Sequence, residues 1–286
     1  MRIEQGDGWT LYNADCLDIL PTLPDASFDA VITDPPYPHI KREYGMWTAD
    51  EWLAMMRRLV PELRRVLTPT GSCMMVLQPN SERVGRMRTW LWDFLSWAAR
   101  EWGIVQDAYW WNYAVLPTAG ATQHGLMRGT VKTCVWLGAS ECYRNQDAVL
   151  WDESERNKTW RVIGRAGRTY MASGHNVDVR QCAQAALRRG GVTPFNLIPL
   201  PNANGTTSAG AYGHGAGTPL ELCRWWTRYI CPPGGRILDP FAGSGTTGIA
   251  ALEHGCEYVG IERYAKYIPV AEARLAKAGE QTRMAV

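Results

Sequence analysis

The sequence lacks the features that would assign it to several common classes of protein. It has no run of about 18 uncharged apolar residues, so we expect no membrane-spanning helix. Its first residues, 1–7, lack the apolar core of a secretory signal peptide. Its eight cysteines include no CxxC pair and no zinc-type spacing, and the histidines show no metal spacing either. We therefore expect a cytoplasmic protein with reduced structural thiols and no bound metal.

The balance of charge is also weak, and by itself it excludes little. The 286 residues carry a formal net charge of +2, with 46% hydrophobic and 20% charged residues, as in a soluble globular enzyme. This length can form one large α/β domain with an insertion, or two small domains. The distribution of charge is more informative, because residues 156–189 carry seven arginines and one lysine against the single acid Asp178. This basic stretch favours a surface that faces nucleic acid, and a solvated loop with incidental charge is the alternative.

Strand and helix patterns alternate in two parts of the chain. Short apolar or β-branched runs predict strands at 11–16, 28–33, 73–77, 104–111, 130–137, 236–239 and 257–261. Helical spacing of apolar residues predicts helices at 48–67, 81–100, 219–231, 246–254 and 264–278, the first with a capping box between Thr48 and Glu51. From about 145 to 217 this periodicity fades. The pattern predicts an α/β domain made of 1–144 and 213–286, with an insertion at 145–212.

A glycine-rich turn stands in the second α/β part. It follows the predicted strand 236–239 as Phe241-Ala242-Gly243-Ser244-Gly245, and Glu262 comes after the next helix and strand. This order is typical of a nucleotide-binding unit, because glycine lets the backbone approach a ligand and the acid can bind ribose hydroxyls. A nicotinamide or flavin dinucleotide is the alternative ligand, but the turn does not match G-x-G-x-x-G.

The turn Asp34-Pro35-Pro36-Tyr37 ends an early predicted strand. An exocyclic amino group of adenine or cytosine is a poor nucleophile, since its lone pair is delocalised into the ring. The Asp34 carboxylate and the Pro35 carbonyl could accept its two N–H bonds and stabilise the charge that develops on nitrogen. Pro36 would help to stiffen the turn, and Tyr37 could stack on a base flipped out of the duplex. Taken alone, these four residues could equally be an ordinary strand-to-loop turn.

Together the two motifs resemble those of the beta group of DNA amino-methyltransferases, in which the catalytic motif precedes a target-recognition segment and the cofactor loop comes last. The resemblance covers about residues 8–140 and 212–280. It implies a Rossmann-like S-adenosylmethionine-dependent methyltransferase fold, an α/β fold with a doubly wound, mostly parallel sheet of seven strands in permuted motif order. It also implies that 145–212 is a small target-recognition insertion.

The resemblance further implies a set of site residues. Asn13-Ala14-Asp15-Cys16-Leu17 is similar to the family's G-D-C-L motif, with alanine in place of glycine, and its acid would accept from the adenine amino group. Gly217-Thr218-Pro219 resembles the start of the family's K-P-x-x-L motif, with Thr218 in place of lysine. Asp239 would lie near the methionine portion, and Phe241 would pack on the adenine. The predicted cofactor-binding residues are Asp15, Cys16, Asp34, Thr218, Pro219, Asp239, Phe241, Gly243, Ser244, Gly245, Thr246, Glu262 and Arg263, and the predicted catalytic residues are Asp34, Pro35, Pro36 and Tyr37.

The expected reaction is methylation of adenine N6 in double-stranded DNA, because Asp in the first catalytic position is usual for adenine enzymes of this family and Ser for cytosine-N4 enzymes. Three alternatives stay open: a cytosine-N4 methyltransferase, a non-catalytic DNA-binding homologue, and a methyltransferase of RNA or of protein glutamine. A homodimer and a cognate restriction endonuclease are further partners that family analogy suggests.

Candidate DNA contacts lie in three segments. Aromatic residues are interleaved with the basic stretch, namely Trp160, Tyr170 and His175. A second segment is 143–145. The third is 38–46, which carries Lys41 and Arg42 directly after the catalytic motif and could close over a flipped base.

Overall fold

The computed structural model describes residues 2–41, 45–113, 123–127, 129–151, 188–201 and 218–284. The chain divides into two compact units, Met1–Arg144 with Asn196–Val286, and Asn145–Phe195. Leu197–Pro199 adds a strand to the sheet of the first unit. The target-recognition insertion expected over 145–212 stays a prediction.

Twelve strands occur among the described residues. They are β1 (Arg2–Gly6), β2 (Trp9–Asn13), β3 (Phe28–Thr33), β4 (Leu67–Leu77), β5 (Ser81–Arg83), β6 (Arg86–Met87), β7 (Ile104–Gln106), β8 (Tyr109–Trp111), β9 (Val131–Gly138), β10 (Leu197–Pro199), β11 (Arg236–Asp239) and β12 (Glu257–Glu262). Ten of them form one sheet in the order β1-β2-β12-β11-β3-β4-β9-β8-β10, with β7 beside β9. The five strands β2, β12, β11, β3 and β4 are parallel in this sheet order, whereas β1 runs antiparallel to β2 and β9 runs antiparallel to β4.

The predicted doubly wound, mostly parallel sheet is confirmed, but the predicted number of seven strands is too low. The region 104–111 forms two short strands, and β1 and β10 had not been predicted. β1 is an edge strand with mostly exposed side chains, so it carries no apolar run. β10 has only three residues, too few for a pattern to stand out.

Six α-helices lie in the described ranges. They are α1 (Cys16–Ile19), α2 (Ala49–Val66), α3 (Trp90–Glu101), α4 (Leu220–Ile230), α5 (Thr246–Glu253) and α6 (Ile268–Met284). The capping box of α2 is confirmed, since the Glu51 amide donates to Thr48 Oγ1 at 3.2 Å and the Thr48 amide donates to Glu51 Oε2 at 2.8 Å. None of the described helices is long and apolar enough to cross a membrane.

The predicted helix over 81–100 is wrong over residues 81–89. β5 and β6 form a small antiparallel hairpin there, and α3 begins only at Trp90. Gly85 turns the chain with φ 74°, a conformation that glycine adopts without strain. Every side chain from Ser81 to Met87 is exposed, so this segment buries no helical face.

Helices cover both faces of the sheet, as expected for a doubly wound fold. On one face α4, α5 and α6 bury residues such as Trp226 and Leu275. On the other face α1, α2 and α3 bury residues such as Trp52 and Phe94. Strands buried on both faces carry mostly apolar residues, and β3 has four of them among its six positions. In such folds ligands bind beyond the carboxyl ends of the parallel strands.

The second unit is described only near its two ends, and these ends pair with each other. Asn145 caps a 3-10 turn at Gln146–Val149. Arg189 forms an ion pair with Asp147 at 2.6 Å, and Trp151 makes an antiparallel bridge with Val192. The basic and aromatic residues predicted to face DNA lie outside the described residues, except for Arg188 and Arg189.

Candidate active site

Three acids stand at one edge of the sheet. Asp34 directly follows β3, Asp239 ends β11 and Glu262 ends β12. Because these strands are parallel neighbours, their carboxyl ends meet at the same edge. The structure therefore brings the predicted catalytic acid, Asp34, to the same edge as two predicted cofactor acids. Asp34 and Asp239 are more than 200 residues apart in the chain.

Two adjoining cavities open at this edge. The first has an empty volume of about 820 Å³ that opens to solvent, and the second has one of about 460 Å³. Asp34, Phe241 and Gly243 line both cavities. The other predicted cofactor residues are divided between the two cavities. The first is lined by Asp15, Cys16, Glu262 and Arg263, and the second by Thr218, Asp239, Ser244 and Thr246. Pro219 and Gly245 stand next to these residues, at the starts of α4 and α5.

The glycine turn needs its glycines for its backbone shape. Gly243 has φ 51° and Gly245 has φ 76°, and Gly245 is the residue from which α5 begins. Arg274 of α6 braces the turn, since its Nη1 donates to the Ser244 carbonyl at 2.6 Å, to Ser244 Oγ at 2.8 Å and to Thr246 Oγ1 at 3.2 Å. Arg274 had not been predicted, because it stands 30 residues downstream of Ser244 in a helix with no recognisable motif.

The Glu262 carboxylate is held by two backbone amides. Oε2 accepts from the Gly243 amide at 2.9 Å, and Oε1 accepts from the Tyr264 amide at 2.7 Å. Burial raises the pKa of this carboxyl, and the two amide bonds oppose the rise by favouring the charged form. A carboxylate has about four lone-pair sites, so its orientation is fixed while capacity to accept from a ligand hydroxyl remains.

Asp239 connects the two predicted motifs. Its Oδ1 accepts from Thr33 Oγ1 at 2.6 Å and from the Phe241 amide at 3.1 Å. Thr33 is the residue before Asp34, so one buried hydrogen bond joins the end of the catalytic strand to the start of the glycine turn. Burial raises the pKa of Asp239 from 3.8 to about 6, although these bonds act in the opposite direction.

The segment similar to G-D-C-L is tied to the end of β12. Asp15 caps α1 by accepting from the Leu17 amide at 3.0 Å, and its other oxygen lies 3.4 Å from Arg263 Nη1. The Asn13 side-chain amide donates to the Glu262 carbonyl at 2.9 Å. Burial, and next the charge of Asp15, raise the pKa of Cys16 to about 12, so this cysteine lines the cavity as a neutral thiol. The seven cysteines that the structure describes are all buried free thiols.

Both oxygens of Asp34 accept hydrogen bonds from hydroxyl groups. Tyr37 Oη donates to Oδ1 at 2.5 Å, and Thr218 Oγ1 donates to Oδ2 at 2.7 Å. Thr218 precedes α4, and it is the residue that replaces the family's lysine. A neutral donor from the K-P-x-x-L-like segment therefore orients the carboxylate of the Asp-Pro-Pro-Tyr turn.

Side chains from α2 and from the segment after β4 hold the loop around the two prolines. Trp52 Nε1 donates to the Pro36 carbonyl at 2.6 Å. Asn80 Nδ2 donates to the Pro38 carbonyl at 2.6 Å, while its Oδ1 accepts from Trp90 Nε1 at 3.1 Å. The Trp52 and Trp90 rings meet edge to face with centroids 4.8 Å apart. Trp52 and Trp90 are buried, and their indole N–H groups support the loop.

Two of the segments expected to contact DNA, 38–46 and 143–145, lie at least partly within the described residues. Lys41 is exposed and described, whereas Arg42 lies outside the described residues. Tyr143 donates its amide to the carbonyl of Thr70, near the start of β4. Because Asp34 lies beyond the opposite ends of the parallel strands, the structure does not bring Tyr143 to this edge, and the expected DNA contact of 143–145 stays a prediction.

The strand order and the glycine turn after β11 define the class of the protein, which is the α/β fold of S-adenosylmethionine-dependent methyltransferases. Among solved structures, the chain resembles the PvuII DNA methyltransferase described as cytosine-N4-specific, with a TM-score of 0.68 and 19% identity over 98% of this chain and 96% of that one. It also resembles a Thermus thermophilus protein described as a "putative DNA modification methylase", solved in complex with S-adenosyl-L-methionine, with a TM-score of 0.58 and 21% identity over 94% of this chain and 95% of that one. These similarities show the fold.

Sequence comparison identifies the family. A family model described as DNA methylase, of the N6/N4 type, matches residues 28–273. Relatives include the type II methyltransferase M.PvuII of Proteus hauseri, 26% identical over 93% of this chain and 83% of the relative. Another is the DNA adenine methyltransferase YhdJ of Escherichia coli K12, 24% identical over 93% and 80%. The chain belongs to the N6/N4 DNA methylase family, and its cofactor is S-adenosylmethionine.

The cavity residues fit this cofactor chemically. Glu262 is an oriented acceptor of the kind that binds a ribose diol, and Phe241 and Ile261 offer apolar surface to an adenine ring. Asp239 lies in the second cavity, where a carboxylate suits a cationic methionine end. The cavities meet at Asp34, which places the predicted catalytic acid between the two parts of the site.

Proposed function

We propose that the protein is a sequence-specific DNA methyltransferase that methylates adenine N6 in double-stranded DNA. The observation that carries the proposal is the Asp34 carboxylate, held by Tyr37 and Thr218 at the junction of the two cavities. An amino group that reaches Asp34 would stand beside the place where the cofactor's methyl group is expected. Proximity of this kind supplies a large part of the rate in such reactions.

The proposed chemistry is a direct transfer. Asp34 and the Pro35 carbonyl accept the two N–H bonds of the amino group, so that the nitrogen lone pair points at the methyl group. Within the described residues the Pro36 carbonyl is occupied by Trp52, and no such bond is made to the Pro35 carbonyl. S-adenosylmethionine supplies the methyl group. The nitrogen–carbon bond forms as the sulfur–carbon bond breaks, and the amino group then releases one proton to solvent.

The two hydroxyls on Asp34 give this step a prepared acceptor. Because Tyr37 and Thr218 each donate to a different oxygen, the carboxylate plane is fixed before a substrate arrives. A pre-oriented acceptor needs little reorganisation as charge develops. The Tyr37 ring also offers a face on which a flipped base could stack.

The cofactor roles proposed for the remaining residues follow the geometry. Glu262 would accept from the ribose hydroxyls, Asp15 from the adenine amino group, and Asp239 would face the methionine end. Phe241 would pack against the adenine. The backbone of 243–245 would approach the cofactor closely, while Arg274 holds the turn from behind.

The choice between adenine and cytosine rests on Asp34. The family resemblance associates Asp in this position with adenine. The relatives do not decide the base, since M.PvuII and YhdJ are similarly distant from this chain, and the PvuII structure is described as cytosine-N4-specific whereas YhdJ is named an adenine enzyme. Cytosine N4 is therefore the second candidate.

Recognition and partners are proposed from position and from relatives. We assign target recognition to the 145–212 segment because of its basic composition. The type II relatives suggest a cognate restriction endonuclease, and pairing of two copies would extend a modest DNA footprint.

The test is methyl transfer from labelled S-adenosylmethionine to a mixed-sequence duplex, followed by mass spectrometry of the nucleosides. We expect N6-methyladenine with the wild type and none with Asp34→Ala. Asp93→Ala, an exposed aspartate of α3, is the matched control and should behave as wild type. N4-methylcytosine would overturn the base assignment alone. No product despite cofactor binding would contradict the proposed activity and favour a non-catalytic DNA binder or an RNA or protein substrate.

A further inference from the structure

A lysine stands at the catalytic edge of the sheet without a role in the site described so far. Lys132 is the second residue of β9, which runs antiparallel to β4. The start of β9 therefore lies where β4 ends, and Thr133 is in register with Leu77. On its other side, Lys132 is in register with Trp110 of β8. This topology brings the lysine to the same edge as Asp34.

The Lys132 ammonium is held by aromatic rings. Its Nζ lies 4.9 Å from the centroid of the Trp110 ring and 5.6 Å from that of Tyr37. Ring faces attract a cation through their quadrupole. Within the described part of the chain, no acidic side chain lies within ion-pair distance of Lys132 and no hydrogen bond from its ammonium is seen. A contact with ring faces leaves N–H groups of the ammonium able to donate hydrogen bonds, so the ammonium can bind a ligand.

Lys132 and Asp34 lie near the same buried thiol. Cys134 is on the same face of β9 as Lys132, two residues along. Burial raises the pKa of Cys134 to about 12; the charge of Asp34 adds to this rise and the charge of Lys132 opposes it. Cys134 is therefore a neutral thiol. The Asp34 carboxylate and the Lys132 ammonium carry opposite charges, and they suit opposite kinds of substrate group.

The chemistry of methyl transfer limits what this cation can do. A positive charge aimed at the reacting nitrogen would oppose the positive charge that develops there, so Lys132 is not suited to assist the displacement itself. A lysine is suited to donate to an acceptor or an anion. A nucleotide offers both beside its amino group, as ring nitrogens or a carbonyl oxygen on the base and as the phosphates on either side.

We propose that Lys132 binds the target nucleotide when its base lies against Tyr37, by donating a hydrogen bond to an acceptor of that nucleotide. This assignment rests on the proposed methylation of a flipped base. In this arrangement Asp34 accepts hydrogen bonds from the amino group of the base, and Lys132 donates one to an acceptor of the same nucleotide. An acid and an ammonium at one edge would together recognise a nucleotide that presents a donor and an acceptor.

The test uses the full-length protein and a duplex that contains the site mapped by its methylation. Lys132→Met keeps the length of the side chain and removes the charge, Lys132→Arg keeps the charge, and Lys277→Met, on the exposed side of α6, is the matched control. We expect Lys132→Met to weaken duplex binding and raise the KM for DNA by about tenfold, as the loss of a charged hydrogen bond would, with a smaller change in kcat. Lys132→Arg should recover most of the affinity. Thermal melting and cofactor affinity should match those of the wild type.

A second duplex with an abasic site at the target position separates the two sources of the acceptor. If the acceptor is on the base, Lys132→Met and wild type should bind the abasic duplex equally; if it is a phosphate, the difference should persist. Unchanged DNA affinity and KM in Lys132→Met would overturn the assignment, as would a fall in kcat alone, which would mean that the lysine only positions Tyr37. A wild type that transfers no methyl group to DNA would overturn the proposed function as well.

Discussion

The two halves of the site are built in different ways. In the cofactor half, Glu262 is held by two backbone amides, those of Gly243 and Tyr264. In the catalytic half, the loop around Asp34 is held by side chains from distant elements, such as Trp52 of α2 and Thr218 before α4. This contrast indicates that cofactor binding through Glu262 depends on a local strand-and-turn geometry, whereas catalysis depends on packing across the first unit. Substitutions should therefore separate the two functions.

The largest effect is expected from Glu262→Ala. It removes the proposed ribose acceptor and leaves two buried amides without their partner, so we expect the Kd for S-adenosylmethionine to rise by about a hundredfold. Calorimetry measures this, and DNA binding by the unliganded protein should change little. Glu257→Ala, an exposed acid at the other end of β12, is the control. A Kd that stays at the wild-type value would remove Glu262 from the cofactor site.

The second largest effect is expected when the affinity for S-adenosylmethionine is measured as a function of pH. Because the pKa of Asp239 is raised to about 6, the folded protein keeps a proton from about pH 4 to 6 that the unfolded chain loses. The stability of the unliganded protein should therefore fall as the pH rises through this window. A cationic ligand prefers the carboxylate, so S-adenosylmethionine should bind about tenfold more weakly at pH 5 than at pH 7.

The control for this prediction is Asp239→Asn, which can still accept from Thr33 but does not titrate. It should bind the cofactor more weakly than the wild type at pH 7, with an affinity that hardly changes down to pH 5. A wild-type affinity that is flat across this range would show that Asp239 does not face the cationic end of the cofactor.

A smaller and more selective effect is expected from Trp52→Phe. Phenylalanine keeps most of the buried ring but lacks the N–H that donates to the Pro36 carbonyl, so the catalytic loop loses one support. We expect kcat to fall by about fivefold, while the Kd for S-adenosylmethionine stays unchanged. Trp92→Phe, on the exposed side of α3 with 51% of the tryptophan accessible, should leave both unaltered. A parallel loss of cofactor affinity would contradict the separation of the halves.

The smallest effect is expected from Thr218→Val. Valine keeps the shape of threonine and removes the hydroxyl that donates to Asp34 Oδ2, leaving the bond from Tyr37 in place. We expect kcat to fall by about threefold, and Thr218→Ser to restore it. If Thr218→Ser is as impaired as Thr218→Val, the methyl group of Thr218 matters and the hydroxyl bond does not.

The same contrast explains which parts of the site sequence reasoning could find. The turn at 241–245 and Glu262 form one contiguous unit of strand, turn, helix and strand, whose chemistry is visible in about 25 residues. Arg274 and Asn80 have no such signal, because each acts through a contact that exists only after distant elements pack together. The hairpin at Ser81–Met87 was mistaken for helix, since its residues carry no strong periodicity and Gly85 alone marks the turn.

The order of the motifs, the buried parallel strands and the acids that follow them could be predicted from local sequence, because apolar periodicity, glycine and proline act over a few neighbouring residues. The side chains that support those acids are known only from the folded structure. The bond between Thr33 and Asp239, the one between Thr218 and Asp34, and the position of Lys132 near Tyr37 each join residues from different strands or loops. Such pairings depend on strand order and register, which hydrogen bonding and burial across the whole sheet select together.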